Sequence, residues 1–437
     1  LPVSLLVKLP IVALAVLALG AGLLYPRIKQ DQDRVEMENQ LPLMITHMTI
    51  LSTTNIDRME VFRKIAEEDT YGALAREVHH VVQLVDTWYQ SLDDACRRRA
   101  DIVPSEPVGD LFDRLAYSLS AGQSLSDFLL TEQSAVIDSY ETIYQSNLNN
   151  LDVMSDLYLS MVLSSTFGLV FAVVLPILTG TNPTLTVSAV VVLFLLVQAG
   201  FTFGIYTVAP TDPLWYHASD IRTDTTRRIQ LSFAGAALGM LALGYLSVAG
   251  WVGLGGPGLD DIIFFLDPLP MELYILVPLT PLLVPGIVIR LAESRIRGRD
   301  EAFPSFIRAL GATESAKQST TSKVLEQLRR KDFGVLTGDV ENLYRRLNMR
   351  IEPAEAWHYF AAETHSYLIQ KFSEMYLVGR QMGGDPQQLG ELISENMNVV
   401  IQLRERRKQA TVTLIGMLYG ITAAATFAFF IALKIVI

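Results

Sequence analysis

The sequence predicts an all-α polytopic membrane protein with about six transmembrane helices and two homologous cytoplasmic helical bundles. Three observations predict this class. Six apolar runs are long enough to cross a bilayer, and two long polar segments carry the hydrophobic periodicity of helices. The two polar segments also repeat each other at a nearly constant offset, which indicates a duplicated unit.

Composition argues against two simpler classes. Half of the 437 residues are hydrophobic and only 19% are charged, which argues against a wholly soluble protein. The 35 basic and 46 acidic residues must lie in water, which argues against a chain made only of spans. The net charge of −11 disfavours nucleic-acid binding. The single cysteine, Cys96, cannot form an internal disulfide.

The apolar runs define the predicted spans, because about 18 or more apolar residues can cross the hydrocarbon core. They are 1–25, 158–180, 184–209, 229–252, 262–291 and 410–437. Lys8 and the apolar stretch 11–24 also resemble a signal peptide, but Tyr25-Pro26-Arg27 lacks a small-residue cleavage pattern. The sequence starts at Leu1 rather than Met, and we expect a trimmed start.

Basic residues beside the spans predict the orientation of the chain. They collect at four junctions, as Arg27, Lys29 and Arg34; Arg222, Arg227 and Arg228; Arg295, Arg297 and Arg299; and Arg404, Arg406, Arg407 and Lys408. The connections 181–183 and 253–261 contain no basic residue. If the six spans alternate, all four junctions lie on the cytoplasmic side. The polar segments 26–157 and 292–409 are then both cytoplasmic bundles in a multi-pass protein of the cell membrane.

Glycine pairs at a spacing of four predict close helix packing in lipid, because both glycines lie on one helix face. The pairs are Gly200 and Gly204, Gly235 and Gly239, and Gly416 and Gly420. We interpret them as packing sites within the bundle of spans. A dimer seam, and hence a homodimer, is the alternative.

The spans lack the buried charges that a transport path needs. Glu272 and Lys434 both lie toward the outer ends of their spans, where their side chains can reach water. Pro278, Pro281 and Pro285 predict a kinked or broken fifth span, but the other half has no matching break. A membrane transporter or permease built on an internal repeat is therefore the alternative function.

The two polar segments share their helix breaks. We predict helices at 41–68, from Leu74 to Ala95, at 109–121 and at 126–157 in the first segment. In the second we predict helices at 303–331, 335–348, 353–382 and 386–409. An offset of 262 places Leu41-Pro42 on Phe303-Pro304, Tyr71-Gly72 on Phe333-Gly334, Val78 on Val340 and the corner Gly122 on the corner Gly384. Near residue 95 the offset is 261.

With this repeat, the sequence resembles the F-domain platform family, the inner-membrane cores of type II secretion and type IV pilus machines. The resemblance rests on two helical bundles, each with a glycine corner before its last helix and a following membrane helix. The corners are Gly122-Gln123-Ser124-Leu125 and Gly383-Gly384-Asp385-Pro386. Four spans between the copies are most like the archaeal branch, the platforms of the archaellum and of archaeal adhesion pili.

The resemblance implies a mechanism that the residues do not show unaided. A cytoplasmic hexameric ATPase would press on the two bundles, and the platform would lift pilin or archaellin subunits from the bilayer into the filament base. The family implies no catalytic residue and no cofactor. We favour the archaellum over an adhesion pilus.

Charge suggests where partners bind. The first segment has a net charge of −12 and the second of +2. Arg97, Arg98 and Arg99, and likewise Arg329, Arg330 and Lys331, are expected to end helices, where basic residues interact well with the helix dipole. Both clusters are also candidate contacts for the ATPase. The run of Arg404, Arg406, Arg407 and Lys408 lies beside a span, so anionic lipid headgroups are its expected partner.

Enzyme motifs are incomplete, so we predict no enzyme, no cofactor and no metal site. The string from Gly311 to Gln318 approximates a phosphate-binding loop, but it lacks the glycine before Lys317 and the hydroxyl after it. Gly253, Gly255 and Gly258 have the spacing of a dinucleotide fingerprint but lie in a short connection between spans. The histidines lack the spacing of zinc motifs.

Overall fold

The computed structural model describes residues 5–180, 183–209, 212–252, 273–317 and 321–436. Almost all of these residues lie in helices, and none of the named elements among them is a β-strand. The prediction of an all-α fold is therefore confirmed. The predicted connection 253–261 and the first part of the fifth span lie outside the described residues.

The first half of the chain contains six α-helices and one short 3₁₀-helix. The α-helices are α1 (Leu5–Ser52), α2 (Arg58–Ala66), α3 (Ala73–Asp86), α4 (Leu92–Ala100), α5 (Glu106–Ser120) and α6 (Leu125–Thr179). The 3₁₀-helix, Asp69–Tyr71, precedes α3. Helix α6 covers both the predicted bundle helix and the predicted second span without a break.

The middle of the chain contributes α7 (Pro183–Val208), α8 (Asp224–Val252) and α9 (Leu273–Leu279). A 3₁₀-helix, Thr280–Leu282, then separates α9 from α10 (Leu283–Lys317). The interruption coincides with three prolines, Pro278, Pro281 and Pro285. Proline has no N–H to donate to the helix, which explains the break. The predicted break in the fifth span is confirmed.

The second half repeats the order of the first. After α10 come α11 (Thr321–Leu328), the 3₁₀-helix Gly334–Leu336, α12 (Thr337–Asn348), α13 (Pro353–Thr364), α14 (Tyr367–Gln381) and α15 (Pro386–Val436). Gly72 and Gly334 both adopt a left-handed conformation, with φ of +53° and +60°. The turns before α6 and α15 also match, but their left-handed residues are Gly122 and Gly383. The corner therefore lies one residue before the predicted Gly384.

Three predicted helices are each divided by a turn that the hydrophobic pattern did not indicate. The predicted helix 41–68 is divided because α1 ends at Ser52 and α2 begins at Arg58. The pattern from Leu74 to Ala95 predicts one helix, but α3 ends at Asp86 and α4 begins at Leu92. Trp88, placed by that pattern on the buried face, lies in the turn and is 71% exposed. The predicted helix 353–382 is divided at His365, which has a φ of +56°.

Three helices in the described part of the chain are long and apolar enough to cross a membrane. These stretches are Leu125–Pro176, Asp224–Val248 and Leu276–Lys317. A shorter apolar stretch is Val192–Tyr206. They contain most of the predicted second and fourth spans, part of the fifth, and part of the third. The side chains of most of the first span and much of the sixth lie outside the described residues.

Contacts divide the chain into two compact units. The first unit comprises Leu1–Asp212 and Asn398–Ile437, and the second comprises Pro213–Met397. The first has a core of aliphatic, methionine and aromatic side chains that includes Met44, Phe62 and Phe112. The second has an aromatic core, in which Phe306 contacts Phe333 edge-on with the ring centroids 5.4 Å apart.

In the second unit α10 and the start of α15 cross at two glycines. A Cβ added to Gly390 would lie 2.8 Å from the carbonyl oxygen of Ile307, and one added to Gly311 would overlap the carbonyl of Pro386. Only glycine permits this approach of two backbones. Gly311, which begins the string resembling a phosphate-binding loop, therefore serves helix packing in the middle of α10.

Each unit buries an acidic residue at an equivalent position, near the start of α3 in the first unit and of α12 in the second. Glu77 in α3 pairs with Arg99, and Asp339 in α12 pairs with Arg299 at 2.8 Å. Burial raises the pKa of Asp339 to about 6, although Arg299 lowers it; the nearby Glu363 raises it further. The buried charge of Asp339 therefore opposes folding at neutral pH.

We expect Asp339→Asn to change how stability depends on pH. Because the folded-state pKa of about 6 lies above the ordinary value of 3.8, protonation of Asp339 favours the folded state. This contribution is complete below pH 3.8 and is lost as the pH rises toward and through about 6. In the variant, this loss of stability should be absent, as measured by thermal unfolding midpoints from pH 4 to 7.

The exposed acid Glu326 in α11 provides the control. Glu326→Gln should leave the difference between the midpoints at pH 4 and pH 7 close to that of the unchanged protein. Superimposable pH profiles for Asp339→Asn and the unchanged protein would contradict the assignment of this titration to Asp339.

Candidate functional site

The first basic cluster ends α4, as the sequence predicts. Its members have different environments. Arg99 forms an ion pair with Glu77, and both side chains are largely buried. Arg97 is 54% exposed and lies 4.0 Å from Asp94, and Arg98 is exposed. Arg99 therefore supports the bundle, whereas Arg97 and Arg98 are accessible to a partner.

Arg97 also lines a surface cavity of about 460 Å³ between α4, α5 and the start of α6. Arg114 and Tyr117 line the same cavity, and the Tyr117 side chain is 74% exposed. Glu132, on the wall of the cavity, pairs with Arg114 at 2.6 Å. Asp113 and Phe128 also line the cavity, which therefore has two basic, two acidic and two aromatic side chains.

The second basic cluster directly follows α11. Arg329 pairs with Glu341 at 3.4 Å, and its guanidinium lies 4.6 Å from the centre of the Tyr344 ring. Lys331 lies over the ring of Phe333, 5.4 Å from the ring centre. Arg330 and Lys331 are exposed. Contact of either cluster with an ATPase stays a prediction.

The run beside the sixth predicted span binds acidic side chains of its own unit. Arg404 donates two hydrogen bonds of 2.6 Å to the carboxylate of Asp212, and Arg407 lies 3.5 Å from the same carboxylate. Asp212 and Arg404 are only 13% and 11% exposed. Arg406 pairs with Glu141 on α6 at 2.6 Å. These pairs connect α15 to α6 and to the end of the α7 region.

Beneath these ion pairs lies a small apolar cluster of Tyr144, Leu148 and Leu151 from α6 and Leu403 from α15. Arg406 and Lys408 remain 45% and 44% exposed, although Lys408 also pairs with Glu405. The contact of the run with lipid headgroups stays a prediction. Sequence reasoning missed Asp212, although an acidic residue just after a predicted span was a signal that it needs a partner.

The six predicted packing glycines differ in how closely other atoms approach them. A Cβ on Gly204 would lie 2.9 Å from Cε of Met154, and one on Gly239 would lie 3.2 Å from Pro281. At the other four no described atom lies within 4 Å: Gly200, Gly235, Gly416 and Gly420. Close packing within the described part of the chain is therefore seen at two of the six glycines.

An extended segment in the second unit, 213–223, is a further feature that the sequence did not indicate. The N–H of Tyr216 donates to the carbonyl of His365 at 2.8 Å, and the N–H of Tyr367 donates to the carbonyl of Leu214 at 3.1 Å. The hydroxyl of Thr223 lies 2.9 Å from Nε2 of His365. Helix α8, which is apolar enough to cross a membrane, is thereby joined to the turn between α13 and α14.

The surroundings of His365 disfavour the charged form of its ring. Burial lowers its pKa, and the nearby Arg299 lowers it further. The His365 ring stacks at an angle on Trp215, with the ring centroids 6.1 Å apart. The indole nitrogen of Trp215 lies 3.5 Å from Glu293.

Residues that could hold a metal or act as a nucleophile are not clustered in the part of the chain that the structure describes. No group of three His, Cys, Asp or Glu side chains there could hold a metal ion. Cys96 is buried, and burial raises the pKa of its thiol to about 12, so it is a poor nucleophile. The dinucleotide-like string at Gly253, Gly255 and Gly258 lies outside the described residues.

The chain is similar to known proteins along most of its length. Residues 44–176 match the family described as Type II secretion system, protein F. Over 424 residues the chain is 32% identical to a protein named Flagella accessory protein J from Methanococcus voltae, covering 97% of this chain and 75% of that protein. A protein of the same name from Methanocaldococcus jannaschii is also 32% identical, with 74% of it covered.

A weaker similarity is limited to part of the chain. An uncharacterised protein of Methanocaldococcus jannaschii, MJ1286, is 21% identical over 137 residues, which is 31% of this chain. No solved structure matches the chain significantly.

Identity of 32% across nearly the whole chain, together with the matched secretion domain, shows the family. This chain belongs to the archaeal family of flagella accessory protein J, within the wider group of type II secretion F-domain proteins.

Proposed function

We propose that this protein is the integral-membrane platform on which an archaellum is assembled. The observation that carries the proposal is the 32% identity, over 97% of the chain, to two proteins named Flagella accessory protein J. The matched F domain and the three helices able to cross a membrane support a membrane component of a filament machine. The proposed role is structural and uses no cofactor.

We further propose the six-span topology with both helical bundles in the cytoplasm. The bundles are 26–157 and 292–409. Helices α6 and α15 support this layout, because each begins inside a bundle and continues toward a predicted span. The recurring order of helices, with left-handed Gly72 and Gly334 at matching turns, supports a duplicated bundle.

The long helices suggest how force on a bundle reaches the membrane. Helix α6 has 55 residues, and at about 1.5 Å per residue it is roughly 80 Å long. A cytoplasmic hexameric ATPase pressing on the first bundle would move this helix as one rod. The ion pairs of Arg404 with Asp212 and of Arg406 with Glu141 would pass the movement to α15. This movement would lift archaellin subunits from the bilayer into the base of the filament.

Of the two basic clusters, we assign the ATPase contact to the first. Arg97 and Arg98 are exposed on an otherwise acidic bundle, and Arg97 lines the cavity that also contains Tyr117. The exposed cations would meet an acidic surface of the ATPase. Arg99 is excluded from this contact by its ion pair with Glu77.

Deletion of the gene should abolish swimming and surface archaella, because the proposed platform is the base on which the filament is assembled. Swimming in soft agar and electron microscopy of filaments measure the result, and the reintroduced gene should restore both. Attachment to surfaces is the control. Loss of attachment with normal swimming would instead identify the platform of an adhesion pilus.

Reporters of membrane sidedness should place both bundles on the same side. A fusion near Gln145 in α6 and another near Gln388 in α15 should both report the cytoplasm, while a fusion in 253–261 should report the exterior. Cytoplasmic signals from all three positions, or opposite signals from the two bundles, would contradict the topology.

Reversal of the first cluster should weaken ATPase binding. Arg97→Glu with Arg98→Glu should lower recovery of the ATPase on the tagged full-length protein at least fivefold, because each change replaces attraction by repulsion. The matched control is Arg58→Glu with Lys323→Glu, two exposed basic residues outside the cluster. Unchanged recovery for the first pair would return Arg97 and Arg98 to a helix-capping role.

A further inference from the structure

The two bundles carry opposite charges at one equivalent turn. Glu67, Glu68 and Asp69 follow the last residue of α2, just as Arg329, Arg330 and Lys331 follow the last residue of α11. Each charged run lies beside a 3₁₀-helix and a left-handed glycine. Asp69 begins the 3₁₀-helix that Gly72 follows, and Lys331 precedes the 3₁₀-helix that Gly334 begins. The position is therefore the same in the two folds, and only the sign of the charge differs.

These charged side chains face solvent within their own units. Glu67 is 68% exposed, and its pairing with Lys64 at 3.2 Å is a weak surface contact. Asp69, Arg330 and Lys331 are exposed as well. Arg329 pairs with Glu341 and is only partly exposed, so Glu67, Asp69, Arg330 and Lys331 supply most of the exposed charge at the two turns.

A second equivalent turn carries a strained backbone in both bundles. Tyr89 follows α3 with a φ of +55°, and Arg350 follows α12 with a φ of +61°. The same hydrogen bond closes each turn, from Gln90 N–H to the carbonyl of Leu84 and from Ile351 N–H to the carbonyl of Arg346, at 3.2 Å in both. Glycine is the preferred residue at such a helix end, and a side chain there costs free energy.

The side chains kept at these strained turns project into water. Tyr89 is 91% exposed and its neighbour Trp88 is 71% exposed. Met349 is 67% exposed and Arg350 is exposed. Residues 84–94 contain three acidic and no basic residues, whereas residues 345–355 contain three basic and two acidic ones. Strain retained for exposed side chains points to a binding role.

In each unit, side-chain contacts connect the two helices that lead into these turns. In the first unit Arg63 of α2 pairs with Asp86 at the end of α3, at 2.8 Å. In the second, Glu341 bridges Arg329 and Arg345, at 3.4 and 3.1 Å. We call Glu67, Glu68, Asp69, Trp88 and Tyr89 the acidic face. We call Arg329, Arg330, Lys331, Met349 and Arg350 the basic face.

We propose that the acidic face of one copy of this protein binds the basic face of a second copy. The two faces have opposite charge at matching positions of matching folds. The rings of Trp88 and Tyr89 can receive the guanidinium of Arg350, and Met349 can pack against their edges. The second unit already makes such contacts internally, with Arg346 lying 4.9 Å from the centre of the Tyr359 ring.

Each copy has one face of each kind, so the contact pairs the acidic face of one copy with the basic face of another. A membrane surface does not suit the acidic face, because anionic headgroups repel Glu67, Glu68 and Asp69. A different protein partner, such as the ATPase, is the outcome that the following experiment separates from self-association.

Charge reversal with two tags tests the proposal in the full-length protein in detergent. Variant A carries Glu67→Lys, Glu68→Lys and Asp69→Lys, and variant B carries Arg329→Glu, Arg330→Glu and Lys331→Glu. Each variant alone should bind its own differently tagged copy at least tenfold more weakly than the unchanged protein does. Variant A mixed with variant B should regain the association, because their reversed faces complement each other.

The regained pairing guards against misfolding, since unfolded variants would not pair selectively. A chain with all six changes should also self-associate, and Arg97→Glu with Arg98→Glu should leave self-association unchanged. Association of the unchanged protein should weaken as salt rises from 0.1 to 1 M. A monomeric unchanged protein, or variants A and B that do not pair, would overturn the proposal. The proposal would also be overturned if variants A and B lost ATPase binding but kept their self-association.

Discussion

The bilayer offers no hydrogen-bond partner to a peptide group, and this constraint underlies the architecture of the protein. A helix that leaves a bundle for the membrane must keep its backbone hydrogen bonds internal, so it continues without a turn. In the proposed topology α6 is such a helix, and its 55 residues are uninterrupted. Where prolines remove donors, as around Pro281, the helix narrows to a 3₁₀ turn and then resumes as α10. Long helices of this kind make the bundles and the apolar segments mechanically continuous.

Charged groups are placed where such helices must be held in register. Asp212 and Arg404 lose most of their hydration, and two hydrogen bonds of 2.6 Å offset part of that loss. A pair of this kind adds little net stability but penalises any other register strongly. The same logic applies to Glu77 and Asp339, which occupy equivalent positions in the two halves. Their arginine partners differ, since Arg99 comes from α4 and Arg299 from α10. Both halves therefore bury an acid at this position, and each pairs it with an arginine from a different helix.

The sequence pattern predicted the helices and the helix break around Pro281 because each depends on local chemistry. Apolar spacing, proline and glycine act within a few residues of themselves. It failed at the turns around Tyr89 and His365, because the left-handed residue in each is one that sequence rules do not expect there. Trp88 was misplaced for the same reason, since the hydrophobic spacing continues through a turn that the backbone makes. The corner at Gly383 rather than Gly384 reflects the one-residue change of offset between the halves.

The sequence by itself determined that the chain is helical, that it alternates apolar and polar segments, and that its basic residues collect beside the apolar ones, because hydropathy and charge are properties of residue types. Only the tertiary structure decided which charged residues form buried ion pairs and which are exposed to a partner. Arg99, Arg404 and Arg97 look alike in a list of arginines, yet the first two are paired and largely buried while the third is half exposed. The physical reason is that pairing joins residues distant in sequence, such as Asp212 with Arg404, and no local pattern records which distant side chain will arrive.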